Sequence, residues 1–302
     1  MPNIPNRSET MEAADETDTR PTESSQIEIT SHSRSHRGSI VDTPNMSAAL
    51  MAEQYSTSHP NRGLALVINQ VKFSRMAQRD GSDKDRDSIC KVLSDIGFNV
   101  RVFDNLNKKN LLAMLEKIAN EDHSQNDCLV VVAMTHGDKE VLYASDDSYP
   151  VGRLWEPFVG NGCKTLLGKP KLFFIQACRG ERFDVGVKMA KVLTDTVDAR
   201  SSSEQLLYVI PTMADLLVMY STYDGHYSWR NPINGSWFIQ SLSSELEQNA
   251  HSKELLHLLI GVSRRVAYQY QSNVPGNSKM DAKKQMPCIV SMLTKLVYFP
   301  RK

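Results

Sequence analysis

Four apolar residues of strand type, Leu172-Phe173-Phe174-Ile175, stand between a Gly168-Lys169-Pro170 break and an abrupt change to polar residues. The change takes one residue, and the chain turns again at Gly180. A short apolar run bounded in this way is a buried strand. Cys178 then falls just past the carboxyl end of a central strand, where open α/β sheets place their ligand crevices. A thiol there is held rigidly yet can reach a substrate.

The same pattern occurs upstream. Leu64 to Asn69 is a first buried strand, Val100, Val102 and Phe103 mark a second, and Cys128 to Ala133 a third that is nearly all apolar. Amphipathic helices are expected between them. Ser82 has the chemistry of an N-cap before a face of Ile89, Val92, Leu93 and Ile96, and Gly97 ends that helix. Leu111, Leu112, Leu115 and Ile118 share one side of the next. Leu154, Trp155 and Phe158 point to a further helical segment before Lys171. Later come a short apolar run (206–210), a strand from Leu216 to Ser221, two helices near 236–246 and 255–270, and a last strand from Ile289 to Leu293.

Alternating strands and helices, with strands that are continuously apolar, indicate a mainly parallel sheet covered on both faces. His136 follows the third strand directly, as Cys178 follows its own. If those two strands are neighbours, both residues arrive at one sheet edge.

Composition narrows the function. Net formal charge is zero, so no global field favours nucleic acid or an anionic membrane. No apolar run approaches the ~18 residues of a membrane span, and no N-terminal apolar segment has the form of a signal peptide. Five cysteines (90, 128, 163, 178, 288) are scattered without a C-x-x-C pair. That argues against a disulfide framework or a metal site and for a reducing, cytoplasmic setting. No cofactor motif is present; Gly168-Lys169 lacks the earlier glycine of a phosphate loop. Positions 1–58 are rich in Ser, Thr, Asp, Glu and His, with no aromatic Phe, Trp or Tyr before Tyr55. Such a tail cannot bury enough apolar surface to offset its ordering entropy, and its basic patch (33–37) is a solvated one. Residues 193–203 have the composition of an exposed linker.

Cys90, Cys128 and Cys163 fit the role of small buried hydrophobes. Cys178 differs, because polar Gln176, Arg179 and Glu181 surround it at a strand end. The thiolate is the nucleophile, and an imidazole raises its supply, which makes His136 the matching base.

Gln176-Ala177-Cys178-Arg179-Gly180 has the local signature of caspases, where a His about 50 residues earlier is expected. Here His136-Gly137 stands 42 positions before the cysteine. With Tyr227-Ser228-Trp229-Arg230-Asn231, these motifs make the chain from Leu64 to Phe299 resemble the caspase family, and its executioner members with short prodomains above all. The resemblance implies a three-layer α-β-α sandwich around a mostly parallel six-stranded sheet. It implies an N-terminal prodomain (1–58), a large catalytic subunit (59–198) and a small subunit (199–302). Cys178 and His136 become the catalytic pair, with the amides of Gly137 and Cys178 facing the oxyanion. Arg79, Arg230 and Gln176 become the grip on a substrate aspartate, since guanidinium forks bind carboxylates with paired, charge-assisted bonds. Tyr227 and Trp229 wall the position second before the cut, Asn231 and Trp237 shape the fourth, and Ser228 is a further substrate-binding residue. The loop 271–281 departs from the executioner pattern, with Asn273, Val274 and Met280 where aromatics are common.

The same resemblance implies a zymogen that works as a homodimer on protein substrates. An upstream initiator caspase would activate it, and inhibitor-of-apoptosis proteins would be partners. Asp195-Thr196-Val197-Asp198 has the acid-x-x-acid pattern such enzymes favour, so Asp198 and Asp195 are expected processing sites, with Asp42 and Asp18 for the tail. Two alternatives stand beside this reading. A metacaspase- or paracaspase-like enzyme cutting after Arg or Lys would need acids where Arg79 and Arg230 are found. A catalytically silent homologue serving as decoy or scaffold would lack the Cys, the His or an arginine.

Overall fold

The computed structural model describes residues 51–186 and 211–302. The apolar run 206–210, the linker 193–203 and the processing sites Asp18, Asp42, Asp195 and Asp198 lie outside the described residues.

Six strands form the main sheet: β1 (Asn61–Asn69), β2 (Asn99–Asp104), β3 (Asn126–Met134), β4 (Lys171–Gln176), β5 (Leu216–Tyr220) and β6 (Cys288–Ser291). Their order across the sheet is β6-β5-β4-β3-β1-β2. Every neighbouring pair is parallel except β5 with β6, which is antiparallel. The mostly parallel α/β sheet expected from the sequence is therefore present.

Alternation along each strand sorts residues onto two faces. Ala65, Val67, Val130, Val132, Leu172, Phe174, Leu217 and Met219 pack into one core. It is covered by helices α1 (Ser82–Asp95), α3 (Trp237–Asn249) and α4 (Leu255–Gln269). Leu64, Leu66, Ile68, Leu129, Val131, Phe173, Ile175 and Val218 face the other way, under α2 (Lys108–Ala119). Both faces are dry, which is why these strands are apolar throughout rather than alternating.

Three details differ from the sequence reading. Leu154 and Phe158 do not belong to an α-helix; they sit in 3₁₀ turns spanning 151–166, beside Pro157, Gly160 and Gly162. Ser82 is not the N-cap of α1. That place belongs to Gly81 in the left-handed region (φ 84°), and Ser82 is the first helical residue and fully buried. The folded unit also begins ahead of position 59. Gln54 bridges Leu296, and buried Tyr55 donates its hydroxyl to Asp215 at 2.7 Å.

Candidate active site

The last register pair between β3 and β4 is Met134 with Gln176. His136 and Cys178 each lie two residues beyond it, so parallel pairing delivers both to the same edge. Gly137 is pressed against the cysteine: a Cβ there would stand 2.5 Å from the Cys178 carbonyl oxygen and 2.8 Å from Ala177 Cβ. Only glycine fits so close an approach.

The imidazole of His136 donates from Nε2 to the Ala77 carbonyl at 2.8 Å and packs 4.7 Å from the Phe73 ring. With Nε2 protonated, Nδ1 is left as the free base. The thiol is held by another segment: it donates to the Ser228 carbonyl at 3.8 Å, and the Ser228 amide donates to Sγ at 3.5 Å. No hydrogen bond joins imidazole and thiol among the described contacts. Such bonds tighten in the substrate complex. Burial pushes the Cys178 thiol up, opposed by the Ser228 amide and the charges of Arg79 and Arg230. Burial, then those same arginines, push His136 down. At neutral pH the resting pair is a thiol and a neutral imidazole.

Arg79 is buried, and its Nη1 donates to the Gln70 carbonyl at 3.0 Å and to Ser82 Oγ at 2.8 Å. Ser82 in turn donates to Asn69 Oδ1 at 2.6 Å. All these acceptors are neutral, and no carboxylate is paired with Arg79 among the described residues. Burial and the like charge of Arg230 press its pKa down, with Asp85 opposing. A guanidinium nonetheless stays protonated in proteins. Half-buried Arg230 donates to the backbone carbonyl of Asp80. The Asp80 carboxylate is exposed and accepts from Gln78 Nε2 at 2.8 Å, so it faces the glutamine rather than the guanidinium beside it.

Beneath the arginines, buried Asp85 accepts from the Ser236 amide at 2.9 and 3.0 Å and from Gln240 Nε2 at 3.1 Å. Burial raises its pKa. These bonds tie α1 to the start of α3, where Ser236 caps the helix. Gln176 Nε2 donates to Ser228 Oγ at 2.8 Å, and that hydroxyl donates to Ser221 Oγ at 2.8 Å. Gln285 completes the grid, accepting from the Trp229 amide at 2.6 Å and donating to the Ser221 carbonyl at 2.7 Å. Asn69, Ser82, Asp85, Ser221 and Gln285 are site residues that the sequence reading missed. The partners of Asp85 and Gln285 are far away in sequence, and no local pattern announces the roles of the other three.

The aromatic residues form a row. Trp237 stacks on Trp229 (centroids 5.7 Å) and on Tyr270 (5.4 Å), while Phe183 stacks on Tyr227 (4.5 Å). Asn231 is exposed and caps its own turn, accepting from the amides of Ile233 at 2.8 Å and Asn234 at 2.9 Å. Among the described residues no cluster of three or more His, Cys, Asp or Glu could hold a metal ion.

The edge thus offers a cysteine, an imidazole with a free nitrogen, and two cations with no acid paired to the buried one. A model of the caspase domain matches residues 62–298. Caspase-1 of Spodoptera frugiperda is 42% identical over 83% of this chain and 83% of its own. Caspase drICE of Drosophila melanogaster is 42% identical over 83% and 74%, and bovine (Bos taurus) Caspase-3 is 38% identical over 82% and 88%. The crystal structure of the Spodoptera enzyme superposes with a TM-score of 0.77 at 41% identity, covering 83% of this chain and 97% of that one. The chain that brings His136 and Cys178 to the ends of β3 and β4 therefore belongs to the caspase family and is a cysteine-type endopeptidase.

Proposed function

We propose that this caspase cuts protein substrates after aspartate. The observation that carries the reading is Arg79: a buried cation with neutral acceptors only, near enough to half-buried Arg230 for that like charge to act on it. In that reading Cys178 Sγ gives its proton to His136 Nδ1 and attacks the backbone carbonyl carbon of the aspartate. The amides of Gly137 and Cys178 meet the oxyanion, the amine leaves with the proton, and water releases the acyl group. Gln176 is the third contact to the acid, Tyr227 and Trp229 wall the preceding position, Asn231 and Trp237 the outer one, and Ser228 is a further substrate-binding residue. A neutral side chain would leave the arginines unmatched, and such rejection reaches ~10⁴–10⁵. Fluorogenic peptides ending in Asp should be cut well, Glu poorly and Asn hardly at all; equal rates on Asp and Asn sink the reading. Cys178→Ala should fold normally and show no turnover.

The chain is made as a zymogen in this account, with a prodomain ahead of Gln54 and large and small subunits divided after Asp198 or Asp195. An initiator of the same family makes the cut in the cytoplasm, and Asp42 and Asp18 are sites for removing the tail. Inhibitor-of-apoptosis proteins are further partners. A double variant, Asp195→Ala with Asp198→Ala, should stay one chain and stay weakly active after exposure to an active initiator; full activity overturns this route. The active unit is a homodimer through β6, an edge strand whose Val290 is exposed beside exposed Met286. Such an edge is a pairing template unless covered, and a two-fold copy covers it. Sedimentation should find activity with the dimer, not with a monomer.

A further inference from the structure

Phe183, like Tyr270, is an aromatic of the site row that neither the motifs nor the core accounts for, and of the two it is Phe183 that packs on Tyr227 and Trp229. It lies past Cys178 on the segment that leads out of the catalytic turn, is half-buried, and belongs to neither core cluster. Its neighbours fix it in place. Arg182 bridges His226, with Tyr227 N donating to the Arg182 carbonyl at 2.9 Å, and Asp184 bridges Lys284, whose amide donates to the Asp184 carbonyl at 2.9 Å. Pinned on both sides, the ring lies parallel to Tyr227, 4.5 Å away with a 5° interplanar angle, and 5.9 Å from Trp229.

We infer that Phe183 is a specificity-determining residue: its ring occupies the space against Tyr227 and Trp229 that the substrate side chain second before the cut enters. This rests on the aspartate-cutting reading above and deepens it. The enzyme then favours compact residues at that position. The loop 271–281, with Asn273, Val274 and Met280, supplies no aromatic; the catalytic-cysteine segment brings one instead.

The test uses the cut, active enzyme and aspartyl peptides carrying Ala, Val, Leu or Phe before the Asp. Wild type should prefer Ala and Val. Phe183→Ala should raise kcat/KM for the Leu and Phe peptides about tenfold relative to Ala, through KM, a size within what pocket volume controls. Phe183→Tyr should keep the wild-type ranking. A ratio that stays within about twofold in Phe183→Ala overturns the inference. Binding to the Cys178→Ala protein separates this from failure of the parent reading. Product acids ending in Ala-Asp or Phe-Asp are added while tryptophan fluorescence is followed. Binding that shows the Phe183-dependent size contrast without any turnover supports the slot and sinks the chemistry. Turnover without the contrast sinks the slot alone, and binding of neither peptide sinks both.

Discussion

Two arginines are buried at opposite ends of β1, and their surroundings differ in one respect. Arg62, at the start of the strand, meets Asp127 at 3.2 Å, and the same carboxylate takes Lys302 at 2.7 Å and His59 at 3.2 Å. Arg79, past the other end, meets only carbonyl and hydroxyl oxygens. Burying a charge is costly unless it is paired. The fold satisfies that condition internally at one end of the strand and leaves it unmet at the other, where the proposed substrate aspartate would meet it. A buried arginine is thus structural or functional according to where its counter-charge comes from, not according to how deeply it lies.

Substitution separates the two roles. Arg79→Met should lower kcat/KM on aspartyl peptides by roughly 10²–10⁴, the value of two hydrogen bonds to a charged group, while Tm holds or rises because an unneutralised charge is gone. A large loss of Tm with activity per folded molecule intact would erase the contrast. Arg62→Met should do the reverse. It leaves Asp127 short of one partner, costing about 3 kcal/mol, the lower end for a broken buried pair because Lys302 and His59 remain. Urea unfolding measures this, and activity of the folded fraction should be unchanged.

Electrostatics sharpens the contrast further. Arg230 holds the Cys178 pKa lower than burial alone would, since positive charge favours thiolate. Removing it in Arg230→Ala should therefore move the pH midpoint for iodoacetamide alkylation of Cys178 upward. An unchanged midpoint would mean that the guanidinium does not act on the thiol. The smallest effect belongs to Asp80. Its carboxylate is exposed and turned to Gln78, so Asp80→Ser should change kcat/KM by less than about twofold, as surface substitutions do.

What could be read in advance follows from range. Continuous apolar runs report burial on both faces, so the strands and their order of appearance were legible, and His136 and Cys178 came with them as the residues next after a strand. The arginines needed the family motifs, since nothing local distinguishes Arg79 from any surface arginine. Ser82 has the chemistry of a cap, yet Gly81 takes that place because its left-handed backbone suits the turn, and the Ser82 hydroxyl serves Arg79 instead. Leu154 and Phe158 are spaced as on a helix, but a proline and two glycines break the run into 3₁₀ turns. Asp85 and Gln285 were invisible because each acts on a residue tens of positions away.

The neighbours β4 and β5 end and begin at Gln176 and Leu216, with the whole interval 187–210 between them. Any cut in that interval severs the backbone inside one sheet without removing a rung of the ladder. Among the described residues the two pieces then hold together through the β4–β5 register, the shared cores and polar contacts such as Tyr55–Asp215 and Ser236–Asp85, with no covalent link. What had been an intramolecular contact, at an effective concentration set by the connecting chain, becomes a bimolecular equilibrium. A nicked enzyme of this design acquires something the intact chain lacks, a dependence of its integrity on dilution.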